Sequence, residues 1–115
     1  MIVGNIKDLI AKDINSSEAK NAKMKVLVSA EQGWEDYVMR VIEVEEDGFT
    51  PKHSHPWPHI NYIIEGNGEL MIDGNLNPVN AGSYAYVPKN HLHQFKNVGK
   101  TPFKFICIVP KEGHK

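Results

Sequence analysis

The sequence predicts a single all-β domain, a barrel or sandwich of short strands, and three observations carry that expectation. From Met24 onward, apolar and β-branched stretches alternate with clusters of Gly, Pro, Asn and Asp, which is the spacing of an all-β fold. Asp73-Gly74-Asn75 and Gly66-Asn67-Gly68 supply the residues that tight hairpins with positive φ require. The length, 115 residues, suits one compact domain, and no repeat or linker divides it.

Taken in order, residues 1–23 mix Ile6, Leu9, Ile10 and Ile14 with polar positions and are broken by Asn15-Ser16-Ser17-Glu18. They read as a preamble packed on the barrel, a short helix or an edge strand, with the domain proper at 24–115. Strands are expected at 24–29, 37–45, 59–65, 68–73, 83–87, 94–97 and 103–109, which leaves little room for helices. Ile63-Ile64 and Phe105-Ile106-Cys107-Ile108-Val109 are apolar on both faces, so their strands should be covered on both sides. In so small a domain the outer cover is expected to be a second copy, making a homodimer.

Composition narrows the function. Thirteen basic residues are spread along the chain and balanced by fourteen acidic ones, for a net charge of −1. A nucleic-acid partner needs clustered Lys and Arg and is not expected. No stretch approaches the roughly 18 apolar residues of a membrane span, and Met1-Ile2-Val3-Gly4-Asn5 lacks the basic and apolar start of a secretory signal. The expected location is the cytoplasm, in agreement with a lone cysteine, Cys107, that has no internal partner.

The main chemical signal is histidine density. Three of the six histidines fall within Lys52-His53-Ser54-His55-Pro56-Trp57-Pro58-His59. His53 and His55, two apart on extended chain, project from one face and can share a metal ion. Pro56 and Pro58 oppose continued extension, so His59 should arrive from the start of the next strand. A fourth ligand is expected from His93, with His91 as its competitor; His91 and His114 otherwise read as surface residues.

These residues resemble the motifs of the cupin superfamily. The first motif is a Gly, then His-x-His, then Glu three or four residues on, then Gly seven beyond; here Gly48, His53, His55, His59 and Gly66 occupy those places. The second motif is matched by Gly82, Pro88, Asn90, His93 and Asn97. Gly48 stands one residue closer to His53 than usual, displaced in the turn. Asn90 replaces a Gly and tolerates left-handed backbone. His59 fills the Glu position. With His-Ser-His-Pro-Trp and the Pro110-Lys111-Glu112-Gly113 ending, this substitution resembles a small subgroup with a four-histidine manganese site. The resemblance implies a double-stranded β-helix, or jelly-roll barrel, and metal ligation by His53, His55, His59 and His93.

Four neutral imidazoles leave a divalent ion its full formal charge, where a Glu would cancel one unit. In an octahedral ion two positions stay open for water or substrate. The resemblance favours manganese, then iron; nickel, copper and zinc also suit imidazole. Alternation places Asn61 and Ile63 inward after His59, with Asn61 near enough to bond a ligand, and Phe95 likewise after His93. Phe103, Phe105 and Cys107 share one face, read as inward, which makes Cys107 a cavity wall or simply a small buried hydrophobe. Arg40 alternates with Val38, Ile42 and Val44; an exposed strand face is the simpler account, the cavity the other. Trp57 caps the mouth of the site or lies at a subunit interface.

The reaction class expected is a metal-dependent oxidoreductase, using dioxygen or peroxide on a small organic substrate. The alternative is a non-catalytic module for a small ligand or metal. Metal-assisted isomerisation or hydrolysis would need a nearby acid or base, for which only His91, Tyr84 and Tyr86 are candidates.

Overall fold

Nine antiparallel strands and three short 3-10 turns make up the fold, and no α-helix occurs among residues 1–114, which the computed structural model describes. The strands are β1 (Lys12–Asp13), β2 (Lys20–Val28), β3 (Tyr37–Phe49), β4 (His59–Glu65), β5 (Asn67–Ile72), β6 (Asn75–Asn80), β7 (Tyr84–Val87), β8 (His93–Asn97) and β9 (Phe103–Pro110).

Strand β3 organises the barrel. One edge pairs with β2, and the other pairs with β9 from Tyr37↔Pro110 to Val44↔Phe103. Strand β9 passes the sheet on to β4, and β4 to β7. The far end of β3 reaches β8 through Phe49↔Lys96, and β8 continues to β5 and β6. The strand that spans both sheets nearly closes the barrel, as expected of a jelly roll. A bulge lets β3 make that reach: pairing with β2 slips between Ala22↔Val44 and Lys20↔Phe49, and Asp47 within it has φ 64°. Gly48 therefore lies inside the strand rather than in a turn. A Cβ there would come within 2.7 Å of the Lys20 carbonyl oxygen.

Alternation decides what is inside. Along β9, Phe103, Phe105, Cys107 and Val109 are buried and their neighbours are not, as period-two patterning requires. Phe105 stacks on Phe95 at 4.1 Å between ring centroids. Val44, Val87, Ile63 and Leu70 complete the core, and each such side chain contributes about 1.5–3 kcal/mol by leaving water. Asn97 is the polar clasp of this layer: its amide donates to the carbonyls of Val44 and Thr101, and its oxygen accepts from Gly99 N–H.

Several expected boundaries shift. The first long strand begins at Lys20, four residues before Met24, and β1 pairs along it as a short edge. Strand β6 was not anticipated. Asn-Leu-Asn-Pro-Val-Asn carries little strand propensity, and it pairs on one side only, as an exposed edge where Pro78 is tolerated. Asp73 and Gly74, at φ 50° and 85°, form the expected two-residue hairpin between β5 and β6. Gly66 does not make a hairpin, because β4 and β5 do not pair with each other. It turns the chain from one sheet to the other at φ 86°, where a Cβ would strike the Pro102 carbonyl.

The outer face of β4 and β7 is apolar and open. Ile60 pairs with Tyr86 and Tyr62 with Tyr84, and all four are exposed, Tyr84 by 83%. Ile64, expected to be covered, is also exposed. Among the described residues no helix is long and apolar enough to cross a membrane.

Candidate metal centre

The four histidines come from three separate segments that the barrel brings together. His53 and His93 form an isolated bridge, exchanging backbone hydrogen bonds of 3.1 and 2.9 Å. After His55 the chain bends at Pro56 and Trp57, and His59 re-enters as the first residue of β4, opposite Val87. His93 opens β8 opposite Ile72. The left-handed Asn90, at φ 67°, donates its N–H to the His55 carbonyl at 2.7 Å and so ties the two histidine-bearing loops.

The ring nitrogens of His53, His55 and His93 lie within 4.8 Å of one another. His59 joins them through His93, Nε2 to Nε2 at 3.0 Å, with its ring centroid 5.4 Å from that of His55. His59 and His93 are buried at 6% and 3% exposure, while His53 stands at the rim.

The hydrogen bonds behind the rings dictate the tautomers. His55 Nδ1–H donates to the Trp57 carbonyl at 2.7 Å, His59 Nδ1–H to Asn61 Oδ1 at 2.6 Å, and His93 Nδ1–H to the His91 carbonyl at 2.8 Å. In each ring the proton is held on Nδ1, which leaves Nε2 as a bare lone pair. His59 and His93 therefore direct two lone pairs at each other across 3.0 Å with no proton between them. A cation relieves that repulsion. Two nitrogens bound to one ion at about 2.1 Å in cis positions lie about 3.0 Å apart, so the donor set fits a divalent transition metal.

The electrostatics agree. Burial, the charge of His93, and more weakly His55 and Arg40 lower the His59 pKa to about 3, against a raising contribution from its bond to Asn61. Partial burial and the neighbouring His93, His55 and Arg40 lower that of His53 to about 4. His93 is lowered too, chiefly by burial. All three are neutral near pH 7, the state that ligates a metal.

The histidines face a cavity of about 280 Å³. Asn61, Phe95, Phe105 and Cys107 line it, joined by Ile42, Thr50 and Val109. Asn61, 1% exposed, holds His59 on one side and donates to the Ile106 carbonyl on the other. Arg40 corrects the simpler account. It is half-buried on the inward face of β3 and lines the cavity, its terminal nitrogen 3.3 Å from Cys107 Sγ. Trp57 stacks flat on His55, centroids 4.7 Å apart, at the edge of the cavity. Gly113 from the C-terminal turn lies against its indole.

His114 also departs from its surface reading: it is half-buried, 3.5 Å from the Arg40 guanidinium. His91 is half-buried and bonds the Asp73 carboxylate, its ring turned to a partner other than the cluster. Ile14 and Met24 line the cavity without any signal in the sequence that marked them. A larger groove of about 470 Å³, running past Leu9, Trp34 and Tyr37, contains none of the four clustered histidines.

Comparison with known proteins agrees with this architecture. The polyketide cyclase RemF from Streptomyces resistomycificus is 26% identical and superposes with a TM-score of 0.90, over 96% of this chain and 79% of that one. A predicted oxalate decarboxylase from Thermotoga maritima, 21% identical, matches with a TM-score of 0.85 over 95% and 98% of the two chains and so shares the fold. A glucose-6-phosphate isomerase of Thermococcus kodakarensis is 33% identical over 75 residues, covering 57% of this chain and 40% of its own. An uncharacterised protein of Methanocaldococcus jannaschii is 35% identical over 57 residues, 49% of this chain and 46% of its own. The chain thus spans less than half the length of these curated relatives. The cupin domain family matches residues 40–109, a stretch that holds both histidine motifs, five of the nine strands in full and most of β3 and β9, and the chain belongs to that family.

Proposed function

We propose that this cupin holds one divalent transition-metal ion on His53, His55, His59 and His93, and is a metal-dependent oxidoreductase acting on a small organic substrate with dioxygen or peroxide as co-substrate. The observation that carries the metal reading is the pair of proton-free Nε2 atoms of His59 and His93 at 3.0 Å, each fixed by a donor bond from Nδ1. Manganese is the ion we favour, on the resemblance to the four-histidine subgroup, with iron second. A bound ion supplies Lewis acidity and open coordination positions.

The chain's own residues do the rest. Asn61 and the His91 and Trp57 carbonyls keep the rings aimed; such partners are commonly worth 10–100-fold in metal affinity. Phe95, Phe105, Ile42 and Val109 give the cavity apolar walls that exclude water and suit an apolar substrate body. Tyr84 and Tyr86 point outward and His91 faces Asp73, so none of the three acid–base candidates for isomerisation reaches the cavity. The likeness to a polyketide cyclase supports a second reading, in which the ion promotes ring closure without net oxidation.

Elemental analysis of protein purified without added metal, beside the His59→Ala variant, tests the metal site. One equivalent of metal that falls sharply in the variant is expected; unchanged content removes His59 from it. Oxygen uptake with phenols and alkenes then separates the two reactions, since turnover without oxidant consumption favours cyclisation. We further propose a homodimer through Ile60, Tyr62, Tyr84 and Tyr86, because soluble monomers rarely leave so continuous an apolar face open. Sedimentation should show a dimer that Tyr84→Glu weakens.

A further inference from the structure

Among the described residues, Arg40 is the one Lys or Arg side chain lining the cavity, and no Asp or Glu lines it. The guanidinium takes part in none of the ion pairs among the described residues. Its contacts are the Cys107 sulfur at 3.3 Å, a weak acceptor, and His114 Nδ1 at 3.5 Å. Its Nε is buried with no acceptor among the described residues. A half-buried cation is ordinarily paired or fully hydrogen-bonded, and an exception calls for an explanation. Here β3 alternation forces the side chain inward between Val38 and Ile42, into a space where no described residue offers it an anion.

The guanidinium shares this cavity with His53, His55, His59 and His93. Placing a divalent ion on those rings adds a second positive centre to a cavity without a carboxylate, and like charges in a low-dielectric space repel strongly. An anion between them relieves both. The guanidinium fork matches a planar carboxylate better than other anions. Ile14, Met24, Ile42, Phe95, Phe105 and Val109 make the wall largely apolar, with Thr50 and Asn61 as neutral polar members, and about 280 Å³ is near the small end of ligand cavities, roughly 300–1,000 Å³.

We propose that Arg40 is the carboxylate anchor of this site, and that the cavity takes a small monocarboxylate with an apolar body, held by the guanidinium on one side and facing the histidines on the other. The substrate class proposed here rests on the metal reading above, and the measurements below separate the two.

Intact protein loaded with Mn²⁺ is titrated calorimetrically with acetate, hexanoate and benzoate, and with the amide of each. The series is repeated on Arg40→Gln and Arg40→Lys, with metal content read by elemental analysis. We expect at least one acid to bind about ten- to a hundredfold more tightly than its amide. Arg40→Gln should lose that preference with its metal retained, and Arg40→Lys should keep part of it. Equal binding of every acid and its amide, or an undiminished preference in metal-replete Arg40→Gln, overturns the anchor and leaves the metal site standing. If the wild-type protein takes up no metal, the metal reading falls instead. The anchor is then read on the metal-free protein, where an Arg40-dependent preference for an acid supports it and no preference refutes it. Should Arg40→Gln fail to fold, the acid-to-amide ratio in wild type and in Arg40→Lys decides.

Discussion

Replacing Asn61 by leucine separates the two jobs of its side chain, because metal affinity and metal-free stability should respond unequally. Asn61 Oδ1 accepts the His59 Nδ1 proton at 2.6 Å in a site 1% exposed. Leucine is of similar size and accepts nothing. A buried donor left without a partner ordinarily costs about 1–3 kcal/mol. Here the imidazole has an escape: the proton moves to Nε2, which lies 3.0 Å from the lone pair of His93 Nε2 and can donate to it. Metal-free Asn61→Leu should therefore lose only about 1 kcal/mol, the low end of that range. In the metal-bound protein the escape is closed, since Nε2 must be bare to ligate. His59 then keeps an orphaned Nδ1–H or leaves the ion, and affinity should fall about 10–100-fold. Chelator competition reads the affinity, urea denaturation of the metal-free forms reads the stability, and nitrogen NMR reads which ring nitrogen of His59 carries the proton. Metal affinity within twofold of wild type would refute the account of how His59 is aimed.

Other consequences are checked more briefly. The folded-state pKa values of His53 and His59, about 4 and about 3, lie below the unfolded value of about 6.5, so the unfolded chain binds more protons between them. Metal-free stability should thus fall as pH drops from about 6.5 toward 4, measurable by urea midpoints, whereas protons should displace a bound ion from the folded protein only lower, near pH 4 and below, where His53 and His59 themselves titrate. Phe105→Ala, which empties a site 2% exposed and stacked on Phe95, should cost about 3–5 kcal/mol of unfolding free energy; a loss below 1 kcal/mol would show that the core around it collapses. Gly113→Ala places a Cβ 2.5 Å from Trp57 Nε1, so the indole or the C-terminal turn must shift, and a change in tryptophan emission with metal content preserved is the expected result.

Much of the site was legible because a histidine cluster is written in residue type and spacing. His53 and His55 two apart, His59 beyond two prolines, and His93 in a second motif needed no coordinates to be grouped. The inward face of β9 followed from alternation alone, since period two along a strand fixes which side chains share a face. Strand β6 escaped because its asparagines and Pro78 carry no propensity, and it is held by pairing with β5, a long-range contact without local signature.

What the order of residues determined by itself was the all-β class and the identity of the clustered histidines. Only the tertiary structure decided their chemistry. Two of the three acceptors that lock the rings are the backbone carbonyls of Trp57 and His91, groups that every residue possesses and that therefore leave no mark in a sequence. Arg40 was decided the same way: on paper its alternation with Val38 and Ile42 allowed either face, and burial of its neighbours against β9 turned it into the cavity. Hydrogen-bond direction and the absence of a counter-charge are properties of surroundings, and surroundings exist only once the chain has closed on itself.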